Sequence, residues 1–177
     1  PDEELFSLPR WVKENLDSAK VVGSTLRTIE LEDGRRFSLD NTINDLAGAE
    51  WTRYICSVIN TRYLTKGKDS YAHNIRKIHP TPKPPQLMKE LIEFFSKENE
   101  IVLDYFMGVG GSLLGASLCG RRGAGIDLNK DFIEAYKQAA FELNLPIQNC
   151  IVGNCDTVLN DKRQMQELLN GEKAGKI

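Results

Sequence analysis

Ile101-Val-Leu-Asp104-Tyr-Phe-Met-Gly108-Val-Gly110-Gly111-Ser112 is the stretch from which the rest of the chain can be read. Ile101 to Asp104 is a short apolar run closed by an acid, the pattern of a buried strand. Three glycines follow within four positions, and Ser112 to Cys119 has the spacing of a helix that ends at Gly120. The same alternation continues outward. Gly123 to Asp127 reads as a second strand, and Asn129 as the N-cap of a helix from Lys130 to Leu143. Gln148 to Val152 reads as a third strand and Lys162 to Leu169 as a third helix. Upstream, Pro85 to Lys97 carries apolar residues at helical spacing. Strands alternating with helices predict an α/β fold built on a doubly wound parallel sheet.

Ahead of that core the chain changes character. Leu26 to Glu32 alternates apolar and polar residues, Asp33-Gly34 supplies a turn, and Arg35 to Leu39 resumes the alternation, which predicts a hairpin. Pro9 to Leu16 is a candidate short helix. These residues form a small N-terminal α+β appendage, 1–50. Residues 51–78 read as a basic helix and linker, with helix from about Gly48 to Tyr63 and a polar loop from Thr65 to Tyr71. Residues 79–177 take the α/β part. Pro80, Pro82, Pro84 and Pro85 hold its entrance extended.

The 177 residues are 41% hydrophobic and 27% charged, enough to bury a core without metal or disulfide staples. The four cysteines form no C-x-x-C pair and read as reduced thiols filling the core, which fits a cytoplasmic protein. No run is long enough for a membrane helix, and the acidic N-terminus lacks the layout of a secretory signal. The first residue is not Met, so the chain reads as processed or shortened.

The net charge of −2 hides a segregation. Residues 51–89 hold 8 basic side chains against Asp69 alone, interleaved with Trp51, Tyr54, Tyr63 and Tyr71. Cations among aromatic rings suit phosphates and unstacked bases, and they equally suit a solvated surface. Arg62, Lys66, Lys68, Arg76 and Lys77 are the nucleic-acid-binding candidates.

The glycine-rich turn is neither of two familiar phosphate loops. G-x-G-x-x-G would require glycine at position 113, where the chain has Leu113, and no lysine lies between Ile101 and Cys119 for a P-loop. Acids instead close three consecutive strands: Asp104, Asp127 and, just beyond the third, Asp156. Each taken alone reads as a helix cap or a solvated strand end. Together, at the carboxyl ends of parallel strands, they suit a nucleoside with a cationic tail, and S-adenosylmethionine is such a ligand. Asp127 is placed for two ribose hydroxyls and Asp156 for an adenine amino group. His73 and His79 are the only histidines, and neither has the partners of a catalytic triad or a zinc site.

His79-Pro80-Thr81-Pro82-Lys83-Pro84 closely resembles the H-P-T-x-K-P motif of DNA amino-methyltransferases, enzymes that methylate adenine N6 or cytosine N4. In that family a helix follows, then a strand ending D-P-F-x-G-S-G-T-T. Asp104 to Ser112 is similar to it, and Gly120 to Asp127 is similar to the family's next G-R pair and strand. The resemblance covers residues 79–156. It implies a class I methyltransferase, Rossmann-like sheet and S-adenosylmethionine as cofactor. Phe106, Gly108 and Gly110 would form the turn under the methionine moiety, with Thr81 and Lys83 flanking it. Asp104 would receive the ammonium group, Asp127 the ribose hydroxyls, and Leu128 and Phe132 the adenine ring. Asp156 would read the adenine amine, with Cys155 beside it. The departures are Tyr105 for the usual Pro, and Gly111-Ser112 for Thr-Thr, which leaves Ser112 alone to cap the helix and contact the cofactor.

The family's Pro-Pro-aromatic catalytic motif does not occur; the sole Pro-Pro pair, Pro84-Pro85, is followed by Gln86. The sheet is therefore expected to be incomplete, and no catalytic residue or metal ligand is assigned. The expected function is the cofactor-binding portion of a DNA methyltransferase of the restriction–modification type, inactive alone. DNA and the remaining part of the same methyltransferase are its expected partners. The alternatives are an RNA or small-molecule methyltransferase and a non-catalytic nucleic-acid-binding or subunit module with a relict pocket.

Overall fold

The computed structural model describes residues 8–58 and 61–170, which divide into two compact units. The first takes the described residues through 58 together with Glu93–Glu98, and the second takes Thr61–Ile92 and those from Asn99 onward. The helix assigned by sequence to the basic linker thus belongs to the first unit.

In the first unit, helix α1 (Arg10–Lys13) precedes three short strands, β1 (Lys20–Val22), β2 (Thr28–Glu30) and β3 (Arg36–Ser38), in an antiparallel sheet ordered β1-β2-β3. The expected hairpin is β2–β3, pairing Ile29 with Phe37. Its turn uses Gly34 at φ 82°, and Asp33 Oδ1 accepts the Arg35 N–H at 2.9 Å. The alternation works because Ile29, Leu31 and Phe37 all point into one cluster with Leu8 and Val12. Strand β1 was not anticipated; its Lys20 and Val21 are exposed, so it lacks the alternation that marks a half-buried strand.

Helix α2 spans Gly48–Tyr54, not the longer stretch to Tyr63. It buries no residue, and Ile55 and Val58 beyond it are exposed. Helix propagation needs an apolar face to dock, and β-branched residues without one do not extend it. Residues 59 and 60 of the expected helix lie outside the described ones. Asn44, fully buried, organises this region. Its amide nitrogen donates to the Phe94 carbonyl at 2.7 Å, while its oxygen accepts from Trp51 Nε1 at 3.1 Å and Asn41 Nδ2 at 2.9 Å.

In the second unit, helix α3 (His73–Arg76) leads through the proline segment to α4 (Pro85–Phe95), whose residues from Glu93 count with the first unit. Then come β4 (Ile101–Asp104), α5 (Gly111–Leu118), β5 (Arg122–Asp127), α6 (Lys130–Glu142), β6 (Asn149–Val152), α7 (Cys155–Asn160) and α8 (Lys162–Asn170). The strands are parallel in the order β4-β5-β6, and among the described residues β4 pairs with β5 alone. Asn129 caps α6 as expected, accepting the Asp131 N–H at 2.9 Å. Helix α7 was not anticipated; at six residues it is too short to show a periodicity.

Strand β5 explains the two-sided winding. Ala124 and Ile126 face a cluster with Val158 of α7 and Leu168 of α8. Gly123 and Gly125 face the other way, where a side chain on Gly125 would stand 2.5 Å from Met107 Sδ and 3.0 Å from Leu113. The glycines let α5 lie close on the sheet, and α5 and α6 share a core of Leu113, Leu114, Ile133 and Tyr136. Helices cover both faces, so this is part of a doubly wound sheet.

The cysteines are all free thiols. Cys56 is exposed and so is not the core filler expected; it lies just past α2, none of whose residues is fully buried. Cys150 packs against the α5–α6 core, and burial pushes its thiol pKa up. No helix among the described residues is long and apolar enough to cross a membrane.

Tyr136 is fully buried, and its hydroxyl accepts the N–H of Gln148 at 2.7 Å, just before β6. Burial pushes its own pKa up, so it stays a neutral phenol. Tyr136→Phe keeps the packing and removes the acceptor, and it should lower unfolding free energy by about 1–2 kcal/mol. Urea denaturation measures this; an unchanged midpoint would show that the bond contributes nothing.

Candidate functional site

Strand β4 ends at Asp104, and the chain turns through Tyr105–Gly110 into α5. Four hydrogen bonds fix the turn. Asp104 Oδ1 accepts the Phe106 N–H at 3.0 Å, and the Met107 N–H reaches the Ile126 carbonyl at 3.0 Å. Gly108 N–H donates to Asp127 Oδ2 at 2.7 Å, and Gly110 N–H to the Met107 carbonyl at 2.8 Å. The second Asp104 oxygen accepts the Ser112 hydroxyl, and Asp127 Oδ1 accepts the Asn129 N–H at 2.8 Å. The two strand-end acids thus both hold backbone of the turn regions, with lone pairs left for a ligand.

Glycine is required at two places in this turn. Gly108 and Gly110 have φ of 51° and 69°, the left-handed region. A Cβ on Gly110 would lie 2.1 Å from Tyr136 Cδ2, inside the ring's own volume. His79 closes the turn from above: its ring lies 3.3 Å from the Cβ position of Gly108 and meets Phe132 edge-on at 4.9 Å. His79 Nδ1 accepts the Thr81 N–H at 3.1 Å, which starts the proline segment along the turn.

These elements enclose a cavity of about 140 Å³ lined by Thr81, Lys83, Asp104, Phe106, Gly108 and Ser112, with His79 and Met88 among its walls. Pockets that swallow a whole drug-sized ligand run to roughly 300 Å³ or more. This one has room for only part of such a ligand. A larger cavity, about 360 Å³, belongs to the first unit around Asp40, Ile43 and Trp51. It contains none of the expected residues, and its one acid, Asp40, is paired with Arg27 at 3.1 Å.

The structure therefore gathers six of the twelve expected residues into one cavity. Gly110 lies beneath the turn and faces Tyr136. Asp127 joins the site through Gly108, and Phe132 through His79. Leu128 is 70% exposed. Cys155 and Asp156 do not line this cavity. They open α7 after β6, two strands and so about 10 Å from β4. Asn154 caps that helix, accepting from Asp156 and Thr157, and the Asp156 carboxylate faces out.

Three expectations are corrected. Ser112 does not cap α5; Gly110 occupies the N-cap, and the hydroxyl turns to Asp104 instead. Arg76 is not a nucleic-acid contact, because it is 1% exposed and bonded to two carbonyls; Arg62, Lys66, Lys68 and Lys77 are exposed. Trp51 and Tyr54 are not free for stacking on bases, since both rings pack on Phe94, with centroids 4.9 and 4.6 Å away. Sequence reasoning missed His79 as a wall of the turn, although it stood in the quoted motif. Residue type alone does not mark Arg76 as buried, since the helix that carries it also bears exposed Asn74, and Lys77 follows exposed, although Ile75 beside it packs on the core.

A cavity at the carboxyl end of a parallel sheet with helices on both faces is where doubly wound α/β proteins take their ligands. A DNA methylase family model, for N6 and N4 enzymes, matches residues 30–138, and the chain belongs to that family. It is 43% identical over 68 residues to the type II methyltransferase M.HpaI of Haemophilus parainfluenzae, covering 38% of this chain and 22% of that protein. It is 39% identical over 70 residues to the type II methyltransferase M1.MboII of Moraxella bovis, covering 40% of this chain and 26% of that one. The chain thus matches about a quarter of the length of these relatives. Among solved structures, a complex of M1.HpyAVI with S-adenosylmethionine is similar at 31% identity and a TM-score of 0.34, covering 47% of this chain and 40% of that one.

The close approach at Gly110 has a direct consequence. Gly110→Ala combines a left-handed φ with a collision against a buried ring, and should cost about 3 kcal/mol of stability. Gly108→Ala, facing a His79 edge that can shift, should cost less. Comparing the two melting temperatures tests this; equal losses would contradict the packing described.

Proposed function

We propose that this chain is the S-adenosylmethionine-binding portion of a DNA methyltransferase that modifies an exocyclic amine, adenine N6 or cytosine N4. The observation that carries the reading is the gathering of Thr81, Lys83, Asp104, Phe106, Gly108 and Ser112 around one small cavity, with Asp127 tied to its floor.

The residues present fit that cofactor. The cavity has the size of a methionine tail, not of the whole molecule, and an acid, Asp104, stands in its wall for an ammonium group. Thr81 and Lys83 flank the tail. Asp127 keeps lone pairs for the ribose hydroxyls while holding Gly108 and Asn129. Leu128, exposed beside Asp127, offers apolar surface to the adenine, with Phe132 behind His79. Asp156, with Cys155 next to it, reads the adenine amine from the neighbouring strand end. When bound, the cofactor supplies a methyl group on a sulfonium, a leaving group already activated. The work of these side chains is binding and orientation, which can supply much of the rate in a transfer between two positioned groups.

A base inside a duplex must be extruded before its amine can react. The Pro-Pro-aromatic motif for that step is absent from the sequence, so the remaining part of the methyltransferase is proposed as the partner that brings it. DNA is the proposed substrate, with exposed Arg62, Lys66, Lys68 and Lys77 as phosphate contacts. Free thiols suit work in a reducing cytoplasm.

Titration calorimetry should detect S-adenosylmethionine binding, and Asp127→Ala should weaken it by about tenfold or more, roughly 1.4 kcal/mol. Labelled cofactor with duplex DNA should give no methyl transfer by the chain alone. Absence of binding by the wild-type protein would refute the pocket assignment; efficient methylation would refute the need for a partner.

A further inference from the structure

Arg76 is the largest of the fully buried side chains among the described residues, and no carboxylate there pairs with it. Burying a charge is expensive unless its donors are used. Here Nε donates to the Tyr71 carbonyl at 3.3 Å and Nη1 to the Lys83 carbonyl at 2.8 Å. Burial lowers its pKa to about 10, so it remains a cation at neutral pH.

The two carbonyls bracket one stretch of chain, α3 followed by the proline segment. At the first end, Tyr71 and Ala72 take successive left-handed conformations, φ 48° and 53°, which residues with a Cβ adopt only when surroundings impose them. Ala72 is buried against the α5–α6 core, which anchors that end. At the second end, the Lys83 carbonyl presses on the start of α5, only 2.6 Å from the place a Gly111 Cβ would occupy. That segment holds His79, Thr81, Pro82 and Lys83, four of the residues that line the cavity. The proline segment has few bonds of its own: the Thr81 N–H reaches His79, and Pro80, Pro82 and Pro84 have no N–H to give.

We propose that Arg76 is a positioning residue: by gripping the Tyr71 and Lys83 carbonyls together, its guanidinium clamps the 77–84 strap over α5 and so shapes the end of the pocket that takes the methionine tail. The ligand part of this inference rests on the S-adenosylmethionine reading above. The guanidinium suits the task because its donors are fixed in a planar fork, whereas a lysine ammonium is a single point on a flexible stem.

The test compares Arg76→Met and Arg76→Lys with the wild-type chain in two assays. In calorimetry, Arg76→Met should weaken S-adenosylmethionine by about tenfold or more, and leave 5′-methylthioadenosine, which lacks the amino-acid tail, within about twofold. Arg76→Lys should recover part of the loss. In amide hydrogen exchange, peptides covering 77–88 should exchange about tenfold faster in Arg76→Met, while those covering 122–127 stay protected. Equal weakening of both ligands, or unchanged exchange in 77–88, would overturn the proposal by making Arg76 a general stability residue or a bystander. If Arg76→Met does not fold, the same two comparisons are made on Arg76→Lys, with smaller shifts in the same directions. If the wild-type chain binds neither ligand, the pocket reading fails by itself, and exchange in 77–88 alone upholds or overturns the clamp.

Discussion

The ring of Tyr136 occupies the space that any side chain at Gly110 would need, and the rest of the α/β unit depends on that contact. It sets where the turn after β4 crosses the sheet, and hence where α5 begins. The same residue reaches β6 through its hydroxyl, so one side chain fixes the spacing of the turn, helix α6 and the third strand. Protein interiors are packed as densely as organic crystals, so such a contact permits little drift. With α5 placed, Asp104 can take the Ser112 hydroxyl and Asp127 can take the Gly108 N–H.

These bonds give the two acids a double character. A carboxylate that orders a loop is already oriented when a ligand arrives, and preorganised groups bind with less loss of freedom. The turn that the acids hold is also the floor of the cavity they serve. Structure and recognition are therefore difficult to separate by mutation: removing either acid disturbs backbone as well as a contact. The whole cofactor and a ligand without the amino-acid tail would divide the effects along the pocket.

Much of the α/β unit was legible in the sequence because its signals are local. Asn129 announces α6, Gly120 ends α5, and IVLD and GAGID are short enough to be strands and too short to be helices. Helix α2 misled because propensity was read where docking decides: among the described residues, Ile55 and Val58 stay exposed. The cavity was legible in outline, since Thr81, Lys83 and Asp104 to Ser112 belong to two ordered motifs. What stayed hidden were relations across the fold. Ser112 was expected to cap the helix because it stands where the family has Thr-Thr, yet a carboxylate eight residues earlier claims its hydroxyl. Arg76 looked like surface because a charge is ordinarily solvated, yet two backbone carbonyls, of Tyr71 and Lys83, claim its guanidinium. Asp156 was grouped with the other strand-end acids, but two strand spacings carry it away from Asp104.

Four of the six residues from Pro80 to Pro85 are proline, and that composition governs how the wall beside Lys83 responds to a ligand. With φ locked in four positions, the unfolded chain samples few shapes there, so folding surrenders little entropy in setting the wall. A wall with few alternatives cannot mould itself around a misfit. Under the proposed assignment it would favour a tail of one width over bulkier or differently branched ones, giving selectivity by rigidity. An adaptable glycine-rich wall in the same place would tolerate a wider set of ligands and hold each less well.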